Sequence, residues 1–204
     1  MQIDIVFPIL LLIMSIVIHE VSHGYAAEAL GDPTARYAGR LTLNPIAHLE
    51  LVGSIIVPII TALVPPHMVF GWAKPVPVNP YNLKNQRWGE VLVSAAGPAS
   101  NLAIAIIFGL LIRFDVIYQF LPVTFASPVV TLVYINLLLA VFNLVPIAPL
   151  DGSKILFGFF PARLFHIRNW IESHSLIILI FFILFLWQFV DPLITFLFRL
   201  ITGL

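Results

Sequence analysis

Two histidines and a glutamate near the start of the chain, His19, Glu20 and His23, have the spacing of a metal site with an acid beside it. Residues four apart share one face of a helix, so His19 and His23 can bind one ion while Glu20 stands next to it. A zinc site with two histidines and one carboxylate leaves a position for water, whose proton a nearby acid can pass to a leaving amine. The motif predicts hydrolysis with one Zn²⁺ and with Glu20 as the general base.

The segment before this motif is strongly apolar, since residues 5–18 contain only Pro8 and Ser15 outside the strongly apolar types. Over the whole chain 60% of the residues are hydrophobic and 10% are charged, against about 45–50% and about 25% in soluble domains. We therefore predict an all-α integral membrane protein. Ionisable groups are costly in lipid, which favours a functional interpretation of the motif over two core histidines and a surface glutamate.

Composition narrows the chemistry further. The chain has no cysteine, which excludes disulfides, thiolate zinc sites and cysteine nucleophiles. Any metal must be bound by His, Asp or Glu. The formal net charge is zero, which gives no case for a nucleic-acid partner.

The elements that must position the motif are predicted to form one membrane-embedded domain over residues 1–204. Its core covers residues 4–160, and residues 176–204 form a C-terminal helical segment. Prolines divide the core: they favour an extended chain over residues 70–80 and unwind a helix after Val145, with helix resuming near Ile155. Apolar runs predict four spans that start or lie at residues 4–30, 91–112, 129–145 and 176–190.

The run 51–64 holds only fourteen residues, a length more typical of a re-entrant or interfacial segment than of a span. Charge supports four crossings, because basic residues then divide eight against two, whereas a fifth crossing gives six against four. We expect both termini outside a plasma membrane and the motif nearer its cytoplasmic face. The eight are Arg36, Arg40, Lys74, Lys84, Arg87, Lys154, Arg163 and Arg168, and the two are Arg113 and Arg199.

Asp151 is the best candidate for a third metal ligand. With four crossings, its span runs in the same direction as the span that carries His19 and His23, and the three groups lie at a similar depth. The alternative is an aspartate that caps the short helix after it.

Three further polar residues are candidate site residues. Asn101 and Asn143 are amides at membrane depth, which can bind a substrate carbonyl or stabilise an oxyanion, or else join helices by hydrogen bonds. His48 is a candidate auxiliary ligand or gate, or a plain loop residue. The extended segment that includes Lys74–Pro80 can pair with an extended substrate or serve as a rigid linker.

Three motifs together resemble the site-2 protease family of intramembrane zinc metalloproteases. They are His19-Glu20-Val21-Ser22-His23, Gly97-Pro98-Ala99-Ser100-Asn101, and the run from Asn143 through Pro146 to Leu150-Asp151-Gly152. The resemblance implies zinc bound by His19, His23 and Asp151, Glu20 as general base, and a substrate contact at Asn101. It also implies cleavage in or near transmembrane segments of membrane proteins.

Length and motifs fit a compact prokaryotic-type member of that family, without a PDZ or cystathionine-β-synthase-type domain. Two other classes remain open, a non-catalytic metal-binding or chaperone-like membrane protein and a metal transporter. Glu20 separates them, because neither class needs an acid beside the ligands. The expected partners are a transmembrane protein substrate and the lipid bilayer.

Overall fold

A computed structural model describes residues 3–63, 73–117, 126–161 and 165–204 of the chain. Regular structure in these residues is helical, and they contain no β-strand. The α-helices are α1 (Ile3–Ala29), α2 (Thr34–Tyr37), α3 (Val57–Leu63), α4 (Gln86–Arg113), α5 (Ala126–Leu144), α6 (Asp151–Phe159), α7 (Phe165–Ser173), α8 (Ser175–Phe181) and α9 (Trp187–Thr202). Short π-helical stretches, Leu51–Ile56 and Phe182–Leu186, precede α3 and α9, and 3₁₀ turns cover Pro45–His48 and Pro80–Asn82.

Within the described part of the chain, three helical segments are long and apolar enough to cross a membrane, namely Phe7–Ala29, Gln86–Arg113 and Ser127–Leu144. A fourth span exists if the pair His166–Ser173 and Ser175–Phe185, bent by 65°, counts as one. The prediction of an all-α membrane protein is confirmed. The three long segments coincide with the first three spans expected from the apolar runs, whereas the bent pair only overlaps the fourth, expected at residues 176–190.

The order of contacts shows that the first two long helices run in opposite directions. Ser15 of α1 lies beside Asn101 of α4, with Asn101 Nδ2 3.4 Å from the Ser15 carbonyl. Eight residues further along α1, His23 bonds the carbonyl of Val93, which precedes Asn101. The end of α1 therefore lies beside the start of α4, where Lys84 N donates to the Leu30 carbonyl at 3.0 Å.

Helix α5 runs in the same direction as α1. The Asn136 amide donates to Ser15 Oγ at 2.9 Å, and further along both chain segments His19 Nε2 lies 3.1 Å from Asp151 Oδ2. This parallel arrangement is the one that the depth argument for Asp151 required.

The final helices return antiparallel to α5. Tyr134, early in α5, contacts Phe198 of α9, whereas Phe142, late in α5, contacts Phe182. The largest apolar cluster lies between α4, α5 and α9, at the end of the bundle away from the histidines. Its fully buried members include Ala105, Val133, Leu137 and Ile194.

The apolar run after Glu50 forms a short helix, six π-helical residues followed by the seven of α3. At 1.5 Å per residue, thirteen residues reach about 20 Å, less than the roughly 30 Å of a bilayer core. This length agrees with a segment that does not cross. Residues 64–72, which include the start of the predicted extended segment, lie outside the described part of the chain.

Residues 73–79 have neither helix nor strand, and we call them the strap. Pro75 and Pro77 within it cannot donate a backbone hydrogen bond, so they favour this extended form. Lys74 anchors the strap through its N–H to the His48 carbonyl at 2.9 Å and through its own carbonyl, which accepts from Arg40 at 2.7 Å.

Helix resumes after the prolines earlier than predicted, at Asp151 rather than near Ile155. The reason is Gly152, where any Cβ would collide with the carbonyl oxygens of Leu144 and Val145. Without that side chain, the first turn of α6 packs directly against the end of α5. The position of Asp151 follows from this close approach.

Candidate metal centre

Three ligand atoms from two distant parts of the chain converge on one point. His19 Nε2 lies 3.1 Å from Asp151 Oδ2 and 3.1 Å from His23 Nε2, and His23 Nε2 lies 3.2 Å from Asp151 Oδ2. Between 6% and 9% of each residue is exposed. Among the described residues this is the group of histidine and acidic side chains that could hold a metal ion. We call these three residues the triad.

The second nitrogen of each imidazole is held by a hydrogen bond that turns Nε2 towards the triad. His23 Nδ1 lies 2.7 Å from the carbonyl oxygen of Val93, and His19 Nδ1 lies 2.6 Å from Asn101 Oδ1. Both partners are acceptors, so both Nδ1 atoms carry the proton and both Nε2 lone pairs point inward. This is the arrangement that metal-binding histidines normally show.

The donor set fits a tetrahedral zinc ion. Ligand atoms about 2.0–2.1 Å from zinc at tetrahedral angles lie roughly 3.3 Å apart, and the three observed separations are 3.1–3.2 Å. Two imidazole lone pairs and a carboxylate oxygen that face one another repel unless a cation or a proton lies among them. Two nitrogens and one oxygen from protein leave a fourth position open.

Gly97 of α4 forms one wall of the triad. A Cβ atom at this position would lie 2.5 Å from His23 Nε2 and 2.6 Å from His19 Nε2. Only a residue without a side chain therefore lets α4 pass this close to the ligand atoms. The motif that includes Gly97 was noted in the sequence, but the role of the glycine was not.

Glu20 is half-buried, and it contacts the strap. The backbone N–H of Val76 donates to Glu20 Oε2 at 2.9 Å. Val76 itself is 7% exposed, and its Cγ1 lies against Gly24, one turn further along α1. The strap thus crosses α1 beside the motif and holds the carboxylate of Glu20 by one oxygen, which leaves Oε1 for another partner.

Asn101 lies at the triad, and its contacts are those of the second alternative, hydrogen bonds that join helices. It is 0% exposed. Its Oδ1 faces His19, and its Nδ2 donates to Asn136 Oδ1 at 2.8 Å. These contacts favour a positioning role within the protein over a group aimed at substrate.

The other two candidates lie outside the triad. Asn143 is half-buried, and its amide nitrogen donates to the Leu139 carbonyl of its own helix at 2.9 Å. His48 is 1% exposed, and its Nε2 bonds the Thr42 carbonyl at 2.8 Å. The backbone carbonyl of His48 accepts from Lys74 N–H, so His48 contacts the start of the strap. His48 is not in the group of side chains that could hold a metal ion.

Sequence reasoning missed Asn136, Asp32 and the backbone groups of Val93 and Val76. Asp32 is fully buried, and its carboxylate accepts from Asn79 N at 2.6 Å and from Asn82 Nδ2 at 2.8 Å, which fixes the end of the strap. Apolar spacing could have placed Asn136 on a buried helix face. Nothing in the sequence marks a backbone amide or carbonyl as a site group.

The chain is similar in sequence to one protein family and to several known proteins. Residues 118–186 match the family described as Peptidase family M50. The chain is 38% identical over 192 residues to "Putative zinc metalloprotease YwhC" of Bacillus subtilis (strain 168), over 92% of this chain and 81% of that protein. No solved structure matches the chain.

Two mycobacterial relatives are more distant. The chain is 29% identical over 140 residues to "Putative zinc metalloprotease Rip2" of Mycolicibacterium smegmatis, over 69% of this chain and 52% of that protein. It is 30% identical over 144 residues to the protein of the same name in Mycobacterium tuberculosis (strain ATCC 25618 / H37Rv). That alignment covers 71% of this chain and 53% of that protein. The matched part is thus about half the length of these two relatives.

Proposed function

Because the chain belongs to peptidase family M50, the site-2 protease family, we propose that it is an intramembrane zinc endopeptidase. In this proposal His19, His23 and Asp151 bind one Zn²⁺. The observation that carries the proposal is the buried triad, whose three ligand atoms lie 3.1–3.2 Å apart with Glu20 next to His19 in sequence.

The contacts at the triad indicate the role of each residue in the proposed reaction. Zinc, when bound, supplies polarisation of the scissile carbonyl and activation of a water molecule. Glu20 accepts a proton from the attacking water and delivers it to the leaving amine. The bond from Val76 N–H to Oε2 orients the carboxylate and leaves Oε1 to receive the proton. Asn101 and Val93 hold the imidazoles, and they take no direct part.

The proposed substrates are transmembrane segments of other membrane proteins. The triad lies among the long apolar helices α1, α4 and α5, so a peptide bond must enter a membrane-embedded bundle to reach it. The N–H groups of Lys74 and Val76 are already bonded within the protein and are not free to pair with a substrate. Pro75 and Pro77 offer only carbonyl acceptors.

We further propose that the triad lies nearer the cytoplasmic face of a plasma membrane. Those of the basic residues counted on the cytoplasmic side that the structure describes are at the triad end of the bundle, where Arg87 Nε donates to the Gly158 carbonyl at 2.5 Å. Arg113 bonds the Leu200 carbonyl at the opposite end. A reporter enzyme fused near Lys84 is expected to read cytoplasmic, and an outer-face signal contradicts this orientation.

The proposal is tested by Glu20→Gln in the purified, zinc-loaded protein. The amide keeps an oxygen for the Val76 N–H but cannot accept a proton, so we expect unchanged zinc content and loss of cleavage of a model membrane substrate. Glu28→Gln is the matched control, because this half-buried carboxylate of the same helix pairs with Arg36 and is not part of the triad. Cleavage that persists in Glu20→Gln contradicts the mechanism. Zinc binding without cleavage in the native protein favours the binding or transport alternatives.

A further inference from the structure

Three buried polar side chains form a connected chain of hydrogen bonds behind His19, and we call it the amide relay. Asn136 Nδ2 donates to Ser15 Oγ at 2.9 Å, and Asn101 Nδ2 donates to Asn136 Oδ1 at 2.8 Å. Asn101 Oδ1 then lies 2.6 Å from His19 Nδ1. Asn101 and Asn136 are 0% exposed and Ser15 is 1% exposed, so water does not compete for these bonds.

The direction of the amide relay is fixed by a backbone carbonyl. Asn136 Nδ2 also lies 2.9 Å from the Leu132 carbonyl oxygen, which can only accept. The nitrogen of this amide must therefore face Leu132, and its oxygen must face Asn101. Asn101 in turn presents its nitrogen to Asn136 and its oxygen to His19.

His19 and His23 differ in how securely their tautomer is set. The partner of His23 Nδ1 is the Val93 carbonyl, which cannot be reversed. The partner of His19 Nδ1 is a side-chain amide, and a 180° rotation of that amide would place a donor there instead. His19 would then carry its proton on Nε2, where a metal must bind.

We propose that Asn136 is a positioning residue of the metal centre, which holds the Asn101 amide in the orientation that keeps the proton of His19 on Nδ1. Without Asn136, the remaining acceptor for Asn101 Nδ2 among the described residues is the Ser15 carbonyl, at 3.4 Å. That distance is near the limit of a hydrogen bond. This inference rests on the proposed zinc site, which it deepens.

The test compares three single variants in α5 by zinc affinity, measured in competition with a chelating dye. Asn136→Leu keeps the branched shape and removes the amide, and we expect zinc to bind about 10–100-fold more weakly, as for other groups that orient ligands. As a neutral carboxylic acid, the side chain of Asn136→Asp keeps one oxygen that accepts from Asn101 Nδ2 and a hydroxyl that donates to the Leu132 carbonyl, so this variant should bind zinc nearly as the native protein does. Asn143→Leu removes an amide with the same bond to its own helix and should leave zinc affinity unchanged.

Proton NMR of the zinc-loaded proteins supplies a readout that simple loss of stability does not produce. In Asn136→Leu the Nδ1–H signal of His19 should move upfield and exchange faster, while that of His23 stays in place. If the leucine prevents folding, Asn136→Ala removes the same amide without added bulk and carries the same expectations.

The outcomes separate the two proposals. A native protein that binds no zinc contradicts the proposed function. A native protein that binds zinc, with Asn136→Leu or Asn136→Ala equal to it in affinity and in the His19 signal, overturns the role of Asn136 alone. Equal losses in Asn136→Asp and Asn136→Leu also overturn it, because the relay predicts that the aspartate rescues.

Discussion

Gly97→Ala is the substitution that probes the metal centre with the smallest chemical change. It adds one methyl group to α4 and removes no hydrogen-bonding group. The new Cβ lies 2.5 Å from His23 Nε2 and 2.6 Å from His19 Nε2. Real Cβ atoms stay at least 3.0 Å from such atoms, so each nitrogen must move by 0.4–0.5 Å.

Neither imidazole has room for that movement. Both are tethered at Nδ1, His19 by Asn101 at 2.6 Å and His23 by the Val93 carbonyl at 2.7 Å. A shift of 0.4–0.5 Å exceeds the roughly 0.2 Å tolerance of a metal site. We therefore expect zinc affinity to fall at least about tenfold to a hundredfold, as when groups that orient a ligand are lost, and cleavage to fall with it.

The fold should survive, since alanine is favoured over glycine inside a helix by about 1 kcal/mol. The assay is zinc affinity by chelator competition, with helical content measured in the same samples. Gly89→Ala is the control, because the nearest atoms to its methyl in the same helix belong to the side chain of Leu83, at 3.0–3.4 Å. Native zinc affinity in Gly97→Ala would refute the reasoning, because it would show that the triad does not close on the ion as described.

Two further substitutions test the strap. Val76→Pro removes the N–H that orients Glu20, and proline suits an extended chain, so kcat should fall about tenfold while the zinc content stays the same. Val76→Ala keeps the N–H and should keep the native kcat. Equal kcat values in the two variants contradict the role of this bond. Asp32→Asn turns one acceptor oxygen into a donor beside Asn79 and Asn82, and should lower stability by about 1–3 kcal/mol, measured by thermal unfolding. Burial raises the pKa of Asp32, but the hydrogen bonds from Thr34, Asn82 and Asn79 outweigh it and hold the pKa below its usual range. The stabilisation by the Asp32 carboxylate is therefore full above its unfolded pKa of about 3.9 and is lost as the pH falls through its lower folded pKa. An acid unfolding profile that is the same in Asp32→Asn as in the native protein contradicts this contribution of Asp32.

The sequence was informative where residue type and spacing determine geometry. The i, i+4 spacing of His19 and His23 on an apolar helix places two nitrogens on one face, and chain direction brings Asp151 to their depth. Apolar runs defined α1, α4 and α5. The family resemblance predicted from three short motifs is confirmed by the comparisons.

Helix boundaries near prolines were harder to predict. Pro146 and Pro149 correctly marked the end of α5, yet the early start of α6 depends on the contact at Gly152, which only the packed structure reveals. Helix α7 lies in a polar and basic stretch without the long apolar run that identified the spans.

Roles that depend on orientation were not readable from the sequence. For Asn101 the sequence left a substrate contact and hydrogen bonds between helices open, and in the structure its oxygen faces His19 and its nitrogen faces Asn136. Which end of an amide faces a histidine is decided by neighbours from other helices. The Val76 N–H is a backbone group that every residue type except proline could supply, and the Val93 carbonyl is one that every residue type could supply.

The central claim is that His19, His23 and Asp151 bind one zinc ion, and zinc-edge X-ray absorption of the purified protein tests it most directly. We predict one zinc per chain, with a first shell of two imidazole nitrogens and oxygen at about 2.0–2.2 Å. Asp151→Ala should lose the ion or change its oxygen shell. A native protein without stoichiometric zinc, or a spectrum that is the same in Asp151→Ala and in His23→Ala as in the native protein, would contradict the account.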